Sequence, residues 1–320
     1  MFRLIYPAAL LVLLLQATTI DARTSPQLVD RGDGTVLDTV TQAIWQKCSM
    51  GQQDSDCSGK PAVDFGWKAA QQECKNLSLA GLKWRLPTLA EFHSIVDTNS
   101  AGDAAESNVF SNTPDWAEYW TTSPHPNSRS DIWLHLSGYR GNRQYPKSGA
   151  GSVRCISAPL WKAKDRFEAA ADGTVLDKKT QLRWQRCSYG QKNDAKCKNE
   201  NGWVHPESKL DFRAAQAHCS NLALGGYKWR LPSVHELSSL LDYEKPYNAA
   251  AQSASAEQLY YRQKPLLESS VFPNTPPSTY WTATANGSTY AYLVEFLEGY
   301  IKIDPQVEPY SGHVRCVTDP

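Results

Sequence analysis

Few residues in this chain are of a type and spacing that could do chemistry, and most of them point to structure. Eight cysteines stand at Cys48, Cys57, Cys74, Cys155, Cys187, Cys197, Cys219 and Cys316. None forms the C-x-x-C pair expected of a four-thiolate zinc site. Seven histidines (His93, His125, His135, His205, His218, His235 and His313) are scattered singly, without H-x-x-x-H spacing, so no metal site is expected. Glu91 and Glu236 could be general bases. Each, however, lies three residues after a hydroxyl residue, Thr88 or Ser233, which is the spacing of a helix capping box. Arg85, Arg154, Arg230 and Arg315 sit beside aromatic residues or cysteines and read as internal donors to loop carbonyls. Trp45, Trp84, Trp120, Trp184, Trp229 and Trp281 read as core. No Ser-His-Asp or Cys-His arrangement is recognisable, so the expectation is a protein with no catalytic residues and no cofactor.

Disulfides need an oxidising compartment, and the N-terminus offers a route to one. Arg3 precedes a largely apolar run of 12 residues at 4–15, and Ile20-Asp21-Ala22 ends in a small residue. The run is shorter than the roughly 20 residues that cross a bilayer, so residues 1–22 read as a cleaved signal peptide. No later stretch is apolar enough to span a membrane. The expected localisation is secreted, periplasmic or cell-surface, with the cysteines in disulfides. Net charge is zero, which gives no sign of a nucleic-acid partner.

The chain repeats itself. Residues 33–52 match 172–191 at an offset of 139, with 14 of 20 positions identical. The offset becomes 145 where Lys83-Trp84-Arg85-Leu86-Pro87 recurs as Lys228-Trp229-Arg230-Leu231-Pro232. It becomes 161 where Tyr119-Trp120-Thr121 recurs as Tyr280-Trp281-Thr282 and Val153-Arg154-Cys155 as Val314-Arg315-Cys316. The first copy spans 27–158 and the second 165–320, joined by a short basic junction around Trp161. The second copy carries an insertion within 243–266.

Each copy predicts the same elements. Thr35-Val36-Leu37 and Ala43-Ile44-Trp45 flank a polar turn, as in a β-hairpin. Trp67, Ala70, Cys74 and Leu77 share one helical face in a helix ending near Gly81, and Phe212, Ala215, Cys219 and Leu222 repeat it. A second helix follows each capping box, with Leu89, Phe92, Ile95 and Val96, or Val234, Leu237, Leu240 and Leu241, facing inward. The remainder is strand-like, which gives an α+β domain. Four cysteines per copy allow three connectivities. Joining the helix cysteine to the late one staples the domain end to end, leaving a local loop for the other two. The predicted bridges are Cys48–Cys57, Cys74–Cys155, Cys187–Cys197 and Cys219–Cys316.

The ordered set Trp-Gln-(Lys/Arg)-Cys, Asn-Leu, Lys-Trp-Arg-Leu-Pro-(Thr/Ser), Phe-x-Asn-Thr-Pro, Tyr-Trp-Thr and Val-Arg-Cys-(Ile/Val) occurs in both copies. In these motifs the chain resembles the bacterial Legionella collagen-like protein C-terminal domain family. The resemblance implies two tandem C-type-lectin-like domains and a secreted or surface binding role, the founding member's domain being associated with adhesion to sulfated polysaccharides. Calcium-dependent lectins of that superfamily use Glu-Pro-Asn or Gln-Pro-Asp and Trp-Asn-Asp, and none of these occurs here. Formylglycine-generating oxidases have a related fold but need two neighbouring late cysteines. Each copy has one, Cys155 or Cys316.

The copies diverge in charge near their ends. Residues 131–155 carry Arg140, Arg143, Lys147 and Arg154 against Asp131, net +3. Residues 292–316 carry Lys302 and Arg315 against Glu295, Glu298, Asp304 and Glu308, net −2. Arg140, Arg143 and Lys147, with Trp133 and Tyr139 nearby, are therefore the expected binding residues for a sulfated or other anionic polysaccharide. An ordinary solvated strand edge would look the same. Complementary tails could instead mediate packing between the copies or between molecules, in a structural or assembly role with an envelope protein as partner.

Overall fold

The computed structural model describes residues 28–39, 41–96, 109–114, 116–125, 128–137, 142–159, 163–198, 208–243, 265–297, 299–307 and 309–319. The expected signal peptide, Trp161, and residues 244–264 of the second-copy insertion lie outside them.

The chain is an α+β protein of small antiparallel sheets, few helices and four disulfides. In the first copy, β1 (Leu28–Asp30), β2 (Thr35–Asp38), β3 (Ile44–Gln46) and β4 (Phe65–Gly66) precede α1 (Trp67–Asn76) and α2 (Leu89–His93). Then come β5 (Glu118–Pro124), β6 (Asp131–Leu136), β7 (Asn142–Pro146), β8 (Ala150–Gly151) and β9 (Ile156–Ser157). The second copy opens with α3 (Ala163–Arg166), β10 (Phe167–Ala169), β11 (Thr174–Asp177) and β12 (Arg183–Gln185). It continues through α4 (Phe212–Ser220), α5 (Val234–Ser239), β13 (Thr279–Asn286), β14 (Tyr290–Glu295), β15 (Ile301–Pro305) and β16 (Val317–Thr318). The last strand of each copy returns to its opening meander, giving sheets β1-β2-β3-β9 and β10-β11-β12-β16. Hairpin sheets β5-β6-β7 and β13-β14-β15 form the other half. No helix among the described residues is long and apolar enough to cross a membrane.

Local signals carry through. The predicted hairpin is β2–β3, with Val36 opposite Trp45. Thr88 and Glu91 close a capping box at α2, and Ser233 and Glu236 do so at α5. Helix α1 stops at Asn76, short of Gly81, because Leu77 turns to extended backbone and its N–H folds back to the Cys74 carbonyl. The four expected disulfides are all present, and no cysteine is free.

The copies pack on one another through α2 and α5. Leu89 and Trp133 of the first copy join the core of the second, with Val234, Leu237 and Tyr292. Trp133 stands edge-on to Tyr300 at 5.0 Å between ring centroids. His235 Nδ1 donates to the His93 carbonyl. At the junction Arg166 donates to both carboxylate oxygens of Asp177 and to the Ser239 carbonyl, which ties the entering chain to the second copy.

Candidate functional site

The repeated charged residues are structural. Arg154 is fully buried. It donates to the Gln46 and Lys47 carbonyls, to Ser49 and Thr113 hydroxyls and to the Tyr119 hydroxyl, with its guanidinium 4.4 Å from the Phe110 ring centroid. Arg315 repeats this with Gln185, Arg186, Ser188 and Thr275, against Phe272. Arg85 grips Glu91 through two bonds of 2.9 and 2.7 Å, and Arg230 grips Glu236 through two of 2.8 Å. Burial alone would push the Glu91 carboxyl up, but the Arg85 guanidinium outweighs it and holds the carboxyl below its ordinary value. A carboxylate held ionised and already gripped on both oxygens is a poor proton acceptor. Among the described residues no group of His, Cys, Asp and Glu could hold a metal ion.

The expected basic site is only partly assembled. Tyr139 and Arg140 lie outside the described residues. Trp133 is fully buried between the copies and cannot meet a surface ligand. The physical reason is the two-residue period of a strand: Trp133 pairs with Gln144, whereas Arg143 pairs with Leu134, so the two point to opposite faces. The register also corrects the alignment of the tails. Leu134 lies opposite Trp120 as Leu293 lies opposite Trp281, an offset of 159 on β6 and β14. The counterpart of Arg143 is therefore Lys302, because each pairs with that leucine. The contrast in charge at this position is smaller than the tails suggest. Arg143 is exposed, ion-paired with Glu118 and 4.6 Å from the Tyr145 ring centroid. Lys147 donates to the Arg129 carbonyl at 3.0 Å and lies over Trp67 at 4.9 Å.

Beside Arg143 lies a feature that sequence reasoning missed: an open cleft of about 700 Å³ on the first copy. The Cys48–Cys57 loop and residues 60–64 form one wall, and Asn112, Pro114 and residues 116–118 form the other. Residues 150–152 make the floor. Gly151 is needed there, since a Cβ would come within 2.8 Å of the Glu118 carbonyl oxygen. The walls are tied together. Gln52 donates to the Asn112 carbonyl at 2.7 Å, Asn112 to the Asp56 carbonyl at 2.8 Å, and Ser152 to Asp64 at 2.7 Å.

On the rim stands Trp116, 66% exposed, with a backbone φ of +66°. A bulky residue in the left-handed region is a strained outlier, of the kind that clusters at ligand sites. Trp116 has no counterpart in the second copy. Four residues separate Pro114 from Tyr119, and three separate Pro276 from Tyr280. The signal was legible, because the offset is 162 at Phe110 and Phe272 and 161 at Tyr119 and Tyr280.

A model of one family, the Lcl C-terminal domain, matches the chain twice, over residues 34–157 and 173–318. No curated protein matches it.

Proposed function

We propose, from the premise that the chain belongs to the Lcl C-terminal domain family through both of its copies, that it is a non-catalytic recognition protein of the cell envelope or exterior, binding a surface glycan through its first copy. The observation that carries this function is the cleft walled by exposed Trp116. Clefts of about this volume suit small ligands, and an exposed aromatic face is a platform for stacking. Four disulfides support an oxidising compartment. Each copy is read as C-type-lectin-like, supported by its two helices, its β-rich half and the bridge from the first helix to the last strand. A sulfated or other anionic polysaccharide would engage Arg143, ion-paired to Glu118 of the cleft, and Lys147 just beyond the end of β7.

The test is binding of the oxidised protein to a glycan array that includes sulfated polysaccharides, at low and physiological salt. Binding that Trp116→Ala or neutralisation of Arg143 and Lys147 removes is the expected outcome. A blank array in both buffers would overturn glycan recognition.

One observation favours a second reading, a role in assembly with a protein partner. Tyr290 at the start of β14, Ile303 on the edge strand β15, and Val307 and Tyr310 beyond it are exposed apolar side chains of the second copy. By register, Asp131 and Gln144 hold the first two positions in the first copy. Salt-insensitive self-association or capture of an envelope protein, lost on Ile303→Lys, would support that role.

A further inference from the structure

We infer that the first-copy cleft takes an uncharged, hydroxyl-rich saccharide, stacked on Trp116 and held through its hydroxyls by the carboxylates of Asp64 and Glu118. The inference rests on glycan recognition by this copy and names the chemistry of the ligand.

Charge is the first argument. The cleft is lined by two carboxylates, Asp64 and Glu118, and one ammonium, Lys60. The nearest exposed guanidinium, Arg143, is already paired with Glu118. With Glu118 neutralised by Arg143 and Asp64 set against Lys60, the lining carries no net positive charge to draw in a sulfated chain. A sugar hydroxyl needs no such charge. An ionised carboxylate accepts at about four lone-pair positions, and the bonds from Ser152 to Asp64 and from Arg143 to Glu118 leave acceptor capacity on each. Bonds from hydroxyl to carboxylate are the stronger, charge-assisted kind.

Shape is the second argument. Pyranose rings offer a flat apolar face of C–H bonds, and Trp116 offers an aromatic face to solvent in a backbone conformation that costs energy to hold. The walls are braced by the Cys48–Cys57 bridge and by the bonds joining Gln52, Asn112 and the disulfide loop. Binding then orders little of the protein, which lowers the entropic cost of capturing a weakly interacting neutral ligand.

The experiment is titration calorimetry of the full oxidised chain with uncharged gluco-, manno- and galacto-hexasaccharides and with a heparin hexasaccharide, at low and physiological salt. We expect one uncharged probe to bind with the same affinity in both buffers. Trp116→Ala should weaken it roughly tenfold, and Trp116→Phe should restore most of it. Asp64→Asn, which keeps an acceptor for Ser152 but loses the charge, should also weaken it while the thermal midpoint stays in place. Salt-sensitive binding of heparin alone, indifferent to Trp116→Ala, would overturn the inference and leave glycan recognition standing on the basic strand. Binding of an uncharged probe untouched by Trp116→Ala would place the site elsewhere and overturn it too. Silence from every probe, heparin included, would bring down both the inference and the recognition function beneath it. Shortened products in the cell would overturn the non-catalytic role.

Discussion

The two copies agree at the buried polar residues that tie their loops together and differ most where side chains meet solvent or the other copy. Arg154 and Arg315 keep the same carbonyl and hydroxyl partners. Asn112 and Asn274 tie the same loops, each with a positive φ and a bond of 2.8 Å to the disulfide loop. One residue beyond each asparagine's Thr-Pro pair the copies part. The first inserts a residue, turns Trp116 outward and opens a cleft against the disulfide loop. On the next hairpin Trp133 of the first copy has Tyr292 at the same register position. Shared residues satisfy buried polar groups whose loss would cost each copy its fold. Differences sit where a change of side chain leaves that framework intact, so the copies could diverge in what they bind without diverging in how they fold.

The comparison can be broken at its strongest point by removing the long disulfides. Cys74–Cys155 and Cys219–Cys316 span 81 and 97 residues, against 9 and 10 for the local pair in each copy. On chain-entropy grounds Cys74→Ala with Cys155→Ala should cost about 4–5 kcal/mol, and Cys48→Ala with Cys57→Ala about 2–3 kcal/mol. Urea unfolding of each double variant measures both. Equal losses would mean that the two kinds of bridge do not play different roles.

Independence of the copies is tested at Trp133. It is fully buried in a core shared with the second copy, so Trp133→Ala should cost about 3–5 kcal/mol. Thermal unfolding should then separate into two transitions, since the ring is the largest first-copy side chain in the shared core. A single transition shifted as a whole would show that α2 and α5 suffice to couple them.

Acid should strike each copy at a different histidine. In the first copy His135 is kept neutral chiefly by burial, helped by the Arg154 charge, and titrates at about 3. In the second, His313 titrates at about 4, again chiefly through burial, with Lys209 adding to it. Register sets Val294 opposite Tyr280 where His135 faces Tyr119, and Ser152 where the other copy has His313. The unfolded chain protonates each histidine near 6.5. Folding therefore excludes a proton, and stability falls as pH drops from about 6.5 toward those folded values. His135→Val should relieve about 2 kcal/mol of the loss at pH 5 in the first copy, and His313→Ser a similar amount in the second. Urea midpoints measured at pH 7 and pH 5 would show it, and pH-independent midpoints for the unmodified protein would remove the basis for both.

The smallest expected effect sharpens the contrast most. Trp116 is exposed, so Trp116→Ala should change stability by no more than about 0.5 kcal/mol. A large loss would mean that the ring supports the fold and is no platform.

Much of this protein follows from its sequence alone. The duplication, both capping boxes, the buried face of each first helix and all four disulfides were legible, because they rest on spacing within a few turns of chain or on the repeat itself. Each copy vouches for the other: a cysteine on the inner face of Trp67–Asn76 and again on that of Phe212–Ser220 is hard to read as anything but a staple. Tertiary structure decided the rest. Whether Trp133 was a surface platform or the bond between copies depended on which face of β6 meets the second copy, and neighbouring residues in sequence do not record that. Sequence alignment matched the tails by their last cysteine, whereas hydrogen bonding shifted the paired strands by two residues and set Arg143 against Lys302. The cleft lies where a disulfide loop near residue 57 and the segment at 116–118 face one another across the floor at 150–152. A pattern of residue types determines what each segment can bury. Only the assembled chain determines which exposed pieces face one another, since that depends on contacts between residues far apart in sequence.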